Sequence, residues 1–362
     1  MHIKSIVIKN FRCFDTLSLD FTSKIVMING ANGIGKTSLL EALHYMCYLR
    51  SFRTYTPREL VAFDQSSFFI KAEIEAFYNT VAQNYDIQIG YASKKKLVKI
   101  DQKVIVSYKE LTDYYRIVTL TEDDLELIKG SPEQRRAFID QALVLQNHEF
   151  LKLMHSFKHT LENRNALLQS GSYSSDSYML WAQQLWQYSL HIQNTRNELL
   201  KVLEARTNKL LVEGFDSQVT IKLLYQPKRI HLEQSFDDFI KENPELPFVE
   251  KKMGRSLFGA HLDEINIQFC DKASRAYASR GQQKLTVLLL KIAQIQEILE
   301  KKGPIIFLLD DFMTDFDEEK SNRLLDILIN LNCQLFFTSP IINSSFETYL
   351  ASYNAQIIQL PS

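Results

Sequence analysis

Ile25-Val-Met-Ile-Asn-Gly-Ala-Asn-Gly-Ile-Gly-Lys-Thr-Ser-Leu-Leu40 is the stretch that decides the fold. An apolar, β-prone run comes first, then a turn with three glycines, then residues of helical character. Gly30, Gly35, Lys36 and Thr37 fit the phosphate-loop pattern G-x-x-x-x-G-K-[ST]. Glycines let the main chain close around phosphates with its N–H groups turned inward. Gly30, Ala31, Asn32, Gly33, Ile34, Gly35 and Ser38 are therefore expected to surround the phosphates of a nucleotide, ATP in the simplest case. Lys36 would reach the β- and γ-phosphates, and the Thr37 hydroxyl would ligate Mg²⁺. The helix that follows adds its positive end beneath them.

A phosphate loop needs a second half, and Pro304-Ile-Ile-Phe-Leu-Leu-Asp310-Asp311 supplies one. A near-continuous apolar strand suits the centre of a parallel sheet. Asp310 at its end would hold Mg²⁺ directly or through water, and Asp311 would orient or activate the attacking water. About 270 residues, roughly two domain lengths, separate the two halves. The expectation is an α/β head of phosphate-loop type, built from both ends of the chain around an inserted helical lobe. The expected boundaries are 1–120 for the first part of the head with an antiparallel β subdomain, 121–245 for the lobe and 246–362 for the rest of the head.

The intervening sequence supports this division. Ser67 to Phe77, Tyr85 to Gly90 and Lys96 to Val106 alternate apolar and polar residues and read as an antiparallel meander. From Ser131-Pro132-Glu133-Gln134, a strong helix start, leucine and aromatic residues recur at helical spacing to about Gln169. After the polar turn 170–177, a second long helix runs to about Val212, giving an antiparallel hairpin. Trp181, Leu185, Tyr188, Ile192, Leu199, Val202 and Leu203 form its expected packing stripe.

Composition bounds the function. The chain has 362 residues, 45% hydrophobic and 23% charged, with a net charge of −1. These are values of a globular protein of about two domains, without a global basic field. Nucleic-acid binding would have to come from a local patch. Candidates are Arg50, Arg53, Lys94, Lys95, Lys96, Arg135 and Arg136. No apolar run reaches membrane-span length, and the N-terminal residues do not read as a signal peptide. The four scattered cysteines read as reduced thiols of a cytoplasmic protein.

A third motif, Ala278-Ser-Arg-Gly-Gln-Gln-Lys284, precedes a helix that Ser279 can cap and Gly281 lets a ligand approach. Phosphate loop, serine–glycine–glutamine signature and paired acids, in this order, resemble the heads of ATP-binding-cassette ATPases. In that superfamily Ser279, Gly281 and Gln282 would touch ATP held by a second subunit, so that ATP joins a homodimer. A transporter ATPase usually carries Glu at position 311 and His at 338; Asp311 and Thr338 oppose that alternative, and the intact loop and acids oppose a catalytically dead scaffold.

Over essentially the whole chain the sequence resembles the RecF family of bacterial DNA replication and repair proteins. The resemblance is carried by Lys9-Asn-Phe-Arg12, the phosphate loop, Leu49-Arg-Ser-Phe-Arg53, Lys129-Gly-Ser-Pro-Glu-Gln-Arg-Arg-Ala-Phe-Ile-Asp140, Gly259-Ala-His-Leu-Asp263, the signature and Leu308-Leu-Asp-Asp311. It implies a weak, DNA-stimulated ATPase that closes as a dimer on DNA and acts at gaps and stalled forks with RecO and RecR. The runner-up is another SMC-like ATPase not dedicated to gap repair, for example one fused to a nuclease, which the lack of an additional acidic metal constellation in the sequence opposes. Arg12 would approach the phosphates, and Asp315 and Asp317 would match a loop that communicates across the dimer. Departures from the family pattern are Ala260 and Leu262 for Pro and Arg, Glu122 for a proline, and Thr314-Asp-Phe-Asp317 for Ser-Glu-Leu-Asp.

Overall fold

The computed structural model describes every residue except 79–80, 106–109, 112–113, 216–217, 312–315, 340–348 and 361–362. The strands in chain order are β1 (His2–Phe11), β2 (Phe14–Asp20), β3 (Ile25–Asn29), β4 (Ser67–Tyr78), β5 (Val81–Ala92), β6 (Lys95–Ile100), β7 (Lys103–Val104) and β8 (Ile117–Leu120). They continue with β9 (Ile221–Gln226), β10 (Glu264–Phe269), β11 (Lys272–Ala273), β12 (Ile306–Leu309), β13 (Gln334–Ser339) and β14 (Gln356–Gln359). The chain divides into two compact units: Met1–Asp124 with Ile295–Ser362, and Leu125–Gln294.

The first unit holds two sheets. The parallel one has the order β14-β3-β13-β12-β8. All residues of β3, β8 and β12 are buried, as strands covered on both faces must be. The phosphate-loop strand β3 therefore does not touch the acid-bearing strand β12; β13 lies between them, pairing Phe336 with Val26 on one side and Leu308 on the other. The second sheet is antiparallel, β2-β1-β4-β5-β6-β7. The expected meander is there, and the two N-terminal strands extend it. Gln334, at the start of β13 and 1% exposed, accepts from the Ile3 amide at 2.7 Å and donates to the Ile3 carbonyl at 3.1 Å. A buried amide thus satisfies main-chain groups of β1 that the ladder leaves open.

In the second unit, three helices replace the expected hairpin of two: Pro132–Gln146, His148–Ser170 and Ser175–Gly214. The break falls at Asn147, whose backbone is extended and whose side chain accepts from the Glu149 amide, an N-cap inside a run of helical periodicity. Ser131 and Gln134 form the capping box that Ser131-Pro132 announced. In the long helix, Leu185, Ile192, Leu199 and Leu203 are buried as expected, while Trp181, Tyr188 and Val202 are half-buried. Ser189, Gln193, Arg196 and Thr207 are polar residues buried among them.

The compact unit runs to Gln294, past the expected boundary at 245, and these polar positions tie residues 250–263 into it. Arg196 pairs with Asp140 at 2.8 Å and donates to the Ala260 carbonyl at 2.7 Å. Asp263, fully buried, accepts from Gln193, the Tyr225 hydroxyl and the Lys228 amide. Arg164, also fully buried, makes a two-pronged pair with Glu250 at 2.6 and 3.1 Å, and the Tyr178 hydroxyl donates to the same carboxylate. Residues 250–263 are held to the helices by charges that have no water to fall back on. The outer edge of β9 is covered from the same long helix: Asn208 and Glu204 accept from the amides of Ile221 and Leu223.

Removing one partner of a buried pair strands the other charge. Glu250→Ala is expected to destabilise the chain by about 3–5 kcal/mol. The double substitution Arg164→Met with Glu250→Leu should recover most of that loss. Urea unfolding of both variants and the unaltered chain checks this; a double variant as unstable as Glu250→Ala would mean that the stranded charge is not what costs.

Candidate functional site

The phosphate loop leaves β3 at Asn29 and enters the helix Lys36–Tyr48. Gly30, Gly33 and Gly35 have φ of 152°, 85° and 111°, conformations that side-chain-bearing residues rarely adopt. At Gly35 a Cβ would also sit 2.6 Å from Cys13 Sγ and 2.7 Å from the Phe14 ring, so the position has room for glycine alone. Ala31, Asn32 and Gly33 are exposed at the crest, and Ile34 is half-buried. Lys36 Nζ donates to the carbonyls of Gly30 (2.7 Å) and Ala31 (3.1 Å), holding the ammonium in the loop's concavity. Ser38 is buried in the first helical turn.

Asp310 and Thr37 meet across the sheet. Thr37 Oγ1 donates to Asp310 Oδ1 at 3.1 Å, and Thr338 Oγ1, from the intervening β13, donates to the same oxygen at 2.8 Å. The Asp311 amide donates to the Thr338 hydroxyl at 2.9 Å, and Asp311 itself has φ of 46°. One hydroxyl thus fixes both acids. Burial pushes the Asp310 carboxyl above its usual range and Asp311 adds to this, while the two hydroxyls and the Arg53 charge pull it back. A hydroxyl and a carboxylate oxygen about 3 Å apart, beside a cationic loop, are the oxygen donors a hard cation such as Mg²⁺ takes, with water completing its shell. The residues fit both a triphosphate and the metal that accompanies it.

Arg12 stands against a carboxylate that sequence reading overlooked. Its guanidinium makes a two-pronged pair with Glu41 at 2.6 and 2.7 Å and donates to the Glu59 carbonyl at 3.0 Å. Glu41, one helical turn beyond Thr37, is fully buried; Ser51 Oγ also donates to it, and Arg53 Nη1 lies 3.8 Å away. A single Glu in an apolar helix run was the available signal, since a buried carboxylate demands a cation. Arg53, grouped by sequence with surface cations, acts on both Glu41 and Asp310.

Ser279, Gly281 and Gln282 lie in the second unit. Ser279 is the N-cap of helix Arg280–Lys302: its amide donates to Gln282 Oε1 at 2.8 Å, and its hydroxyl accepts from the Gln282 amide at 3.3 Å. The remaining candidates divide. Arg135 is 8% exposed, pairs with Glu264 at 2.9 Å and donates to the Gly130 carbonyl; Arg136 donates to the Asp263 carbonyl at 2.6 Å. These two arginines are spent on internal contacts. Lys94 and Lys95 are exposed, whereas Lys96 Nζ donates to the Leu49 carbonyl at 2.6 Å. His261 lies beside the Phe157 ring, and burial lowers its pKa to about 4, so it is neutral near pH 7. Asp317 caps helix Glu318–Ile329, and Asp315 falls outside the described residues.

A family model described as the RecF/RecN/SMC N terminal domain matches residues 2–352. The protein called DNA replication and repair protein RecF of Exiguobacterium sp. is 29% identical over 360 residues, 96% of this chain and 95% of that one. Its counterpart in Streptococcus pyogenes serotype M1 is 29% identical over 357 residues, covering 95% and 93%. A solved structure of the recombination mediator protein RecF with ATP, in the RecFOR pathway, superposes with a TM-score of 0.82 at 26% identity over 94% of this chain and 92% of that one. A Smc head bound to the C-winged helix domain of ScpA gives 0.55 at 16% identity, over 94% and 90%, a likeness of fold. The fold is the RecF and SMC ATPase-head fold.

The Thr338 hydroxyl serves two partly buried groups at once. Thr338→Val should cost about 1–3 kcal/mol, and Thr338→Ser, which keeps the hydroxyl, much less. Thermal unfolding of both variants measures the difference; a Thr338→Val variant as stable as the unaltered chain would mean that the hydroxyl contributes nothing.

Proposed function

This chain belongs to the RecF/RecN/SMC N terminal domain family, and on that premise we propose that it is an ATP-dependent DNA-binding switch of recombinational repair. One observation carries the reading. Asp310 lies within hydrogen-bond reach of Thr37 and Thr338, so a phosphate loop and a paired-acid strand from opposite ends of the chain form one site. Lys36 and the loop amides of 30–38 would bind the phosphates of ATP, releasing Lys36 from the carbonyls of Gly30 and Ala31. Thr37 and Asp310 would hold Mg²⁺, which neutralises phosphate charge when bound. Asp311, fixed through its amide by Thr338, would orient the attacking water. Arg12 and Arg53 would balance the charge of the γ-phosphate from either side of Glu41.

The signature would act in a second copy. Ser279 and Gln282 form a reciprocal cap at a helix start, where free amides favour an anion. ATP bound by one copy would then complete its site with Ser279, Gly281 and Gln282 of the other. Binding would close a homodimer on DNA, and slow, DNA-stimulated hydrolysis would open it. The relatives' part in the RecFOR pathway supports a role beside RecO and RecR in loading recombinase at gaps and at stalled replication forks.

Light scattering separates the parts. Lys36→Ala is expected to abolish ATP-driven dimerisation, and Ser279→Ala to leave ATP binding intact while weakening the dimer. Full ATP-dependent dimers from both variants would contradict the shared site. Hydrolysis at low salt should rise with duplex DNA and vanish in Asp311→Asn; a rate indifferent to DNA would leave an ATPase regulated by protein partners.

A further inference from the structure

The segment from Arg50 to Gln65 carries two aromatic rings that the fold leaves uncovered. Tyr55 is 101% exposed and Phe63 is 90% exposed. Neither belongs to a loose loop. Ser51 Oγ, bonded to Glu41, accepts from the amides of Arg53 and Thr54 at 2.8 and 3.1 Å. Thr54 Oγ1 donates to Glu59 at 2.5 Å and accepts from the Thr56 amide at 3.1 Å. Arg58 donates to the Gln65 carbonyl at 2.7 Å, and the main chain of 60–62 is bonded to that of 10–12. The backbone is held on both sides of each ring, and the rings are held out in water.

The surroundings are cationic. Arg50 and Arg58 are exposed on the same segment. The bond from Lys96 to the Leu49 carbonyl, with the Lys96 ammonium 5.6 Å from the Tyr45 ring, brings the β5–β6 turn against residues 49–50. That turn, with positive φ at Ser93 and Lys94, exposes Lys94 and Lys95. Arg50 and Arg58 thus share the rings' own segment and the Lys94–Lys95 turn is drawn to its Leu49 end, against Glu59, bonded to Thr54, and Asp64.

We propose that this surface binds unpaired nucleic-acid strand, with Tyr55 and Phe63 stacking on bases and Arg50, Arg58, Lys94 and Lys95 meeting the phosphates. The inference rests on the DNA-binding reading above and adds to it the strand state. Flat, exposed rings on a braced backbone whose segment also carries cations match a polymer that offers base faces and phosphates in alternation. In a duplex those faces are hidden by stacking. A protein partner would call for a continuous apolar patch, and here the charged Arg58 and Glu59 lie between the rings in sequence and Asp64 follows the second.

Fluorescence polarisation of the full chain tests this with three labelled probes at one salt concentration: a blunt duplex, the same duplex with a single-stranded tail, and the single strand alone. Tyr55→Ala and Phe63→Ala are each expected to weaken the tailed and single-stranded probes about fivefold or more, to leave the blunt duplex unchanged, and Tyr55→Phe to bind as the unaltered chain. Lys94→Ala with Lys95→Ala should weaken all three and flatten the salt dependence. Ring variants that bind all probes normally, or lose all three equally, would overturn the stacking inference while the DNA reading stands. An unaltered chain that binds no probe would overturn the DNA reading itself and leave the rings to a protein partner.

Discussion

A carboxylate held away from bulk water needs donors, and Asp310 obtains two hydroxyls from chain that follows or forms two other strands. Thr37 follows β3, Thr338 lies in β13 and Asp310 follows β12, so the bonds among them require the sheet order in which β13 separates the other two. Desolvation works against the charge and the hydroxyls offset part of that effect. Any slip of β13 by one residue would turn Thr338 to the opposite face and leave Asp310 with Thr37 alone. The register Leu309–Phe337 and Ile28–Thr338 is therefore a chemical requirement as well as a packing one.

A second carboxylate organises the other side of the loop helix. Glu41, Ser51, Thr54, Glu59 and Arg12 form a closed circuit of hydrogen bonds: carboxylate to hydroxyl, hydroxyl to amide, hydroxyl to carboxylate, carbonyl to guanidinium, and guanidinium back to Glu41. Charge-assisted bonds of this kind are the stronger class. Arg12 and Arg53 both meet Glu41, and the circuit runs from there to the segment that carries Tyr55.

The periodic and motif-bearing parts of this architecture were legible in the sequence. Ile25 to Leu40 specified strand, turn and helix because glycine spacing and β-prone residues left little else, and Pro304 to Asp310 read as a central strand because it is apolar throughout. Leucine periodicity located the helical unit but not its break, since Asn147 sits in phase with the residues around it and acts through a side-chain bond that periodicity cannot register. The extent of that unit was hidden for a related reason. Arg164, Arg196, Glu250 and Asp263 look like surface residues in composition, and only their mutual pairing puts them inside. At the candidate site, pattern spacing picked out Lys36, Thr37, Asp310 and Asp311, which belong to the loop and strand end that the Thr37–Asp310 bond joins. Glu41 has no spacing to betray it, and Arg53 was grouped with solvent-facing cations because proximity to Asp310 depends on how the chain folds back after Tyr48.

The position of β3 has a consequence for the order in which the molecule can be made. Its two neighbours, β13 and β14, lie about 300 residues further along, and nothing nearer pairs with it among the described strands. At ribosomal speeds of about 5–20 residues per second the wait between them is about 15–60 s. The antiparallel sheet has no such delay, because β4 and β5 are adjacent hairpin strands and β1 pairs with β2 and β4. A nascent chain would carry a finished meander beside an apolar strand with both edges open, the state most prone to aberrant pairing. Fragments ending before Gln334 should share that defect, which makes the distal strands guardians of solubility as much as carriers of Thr338.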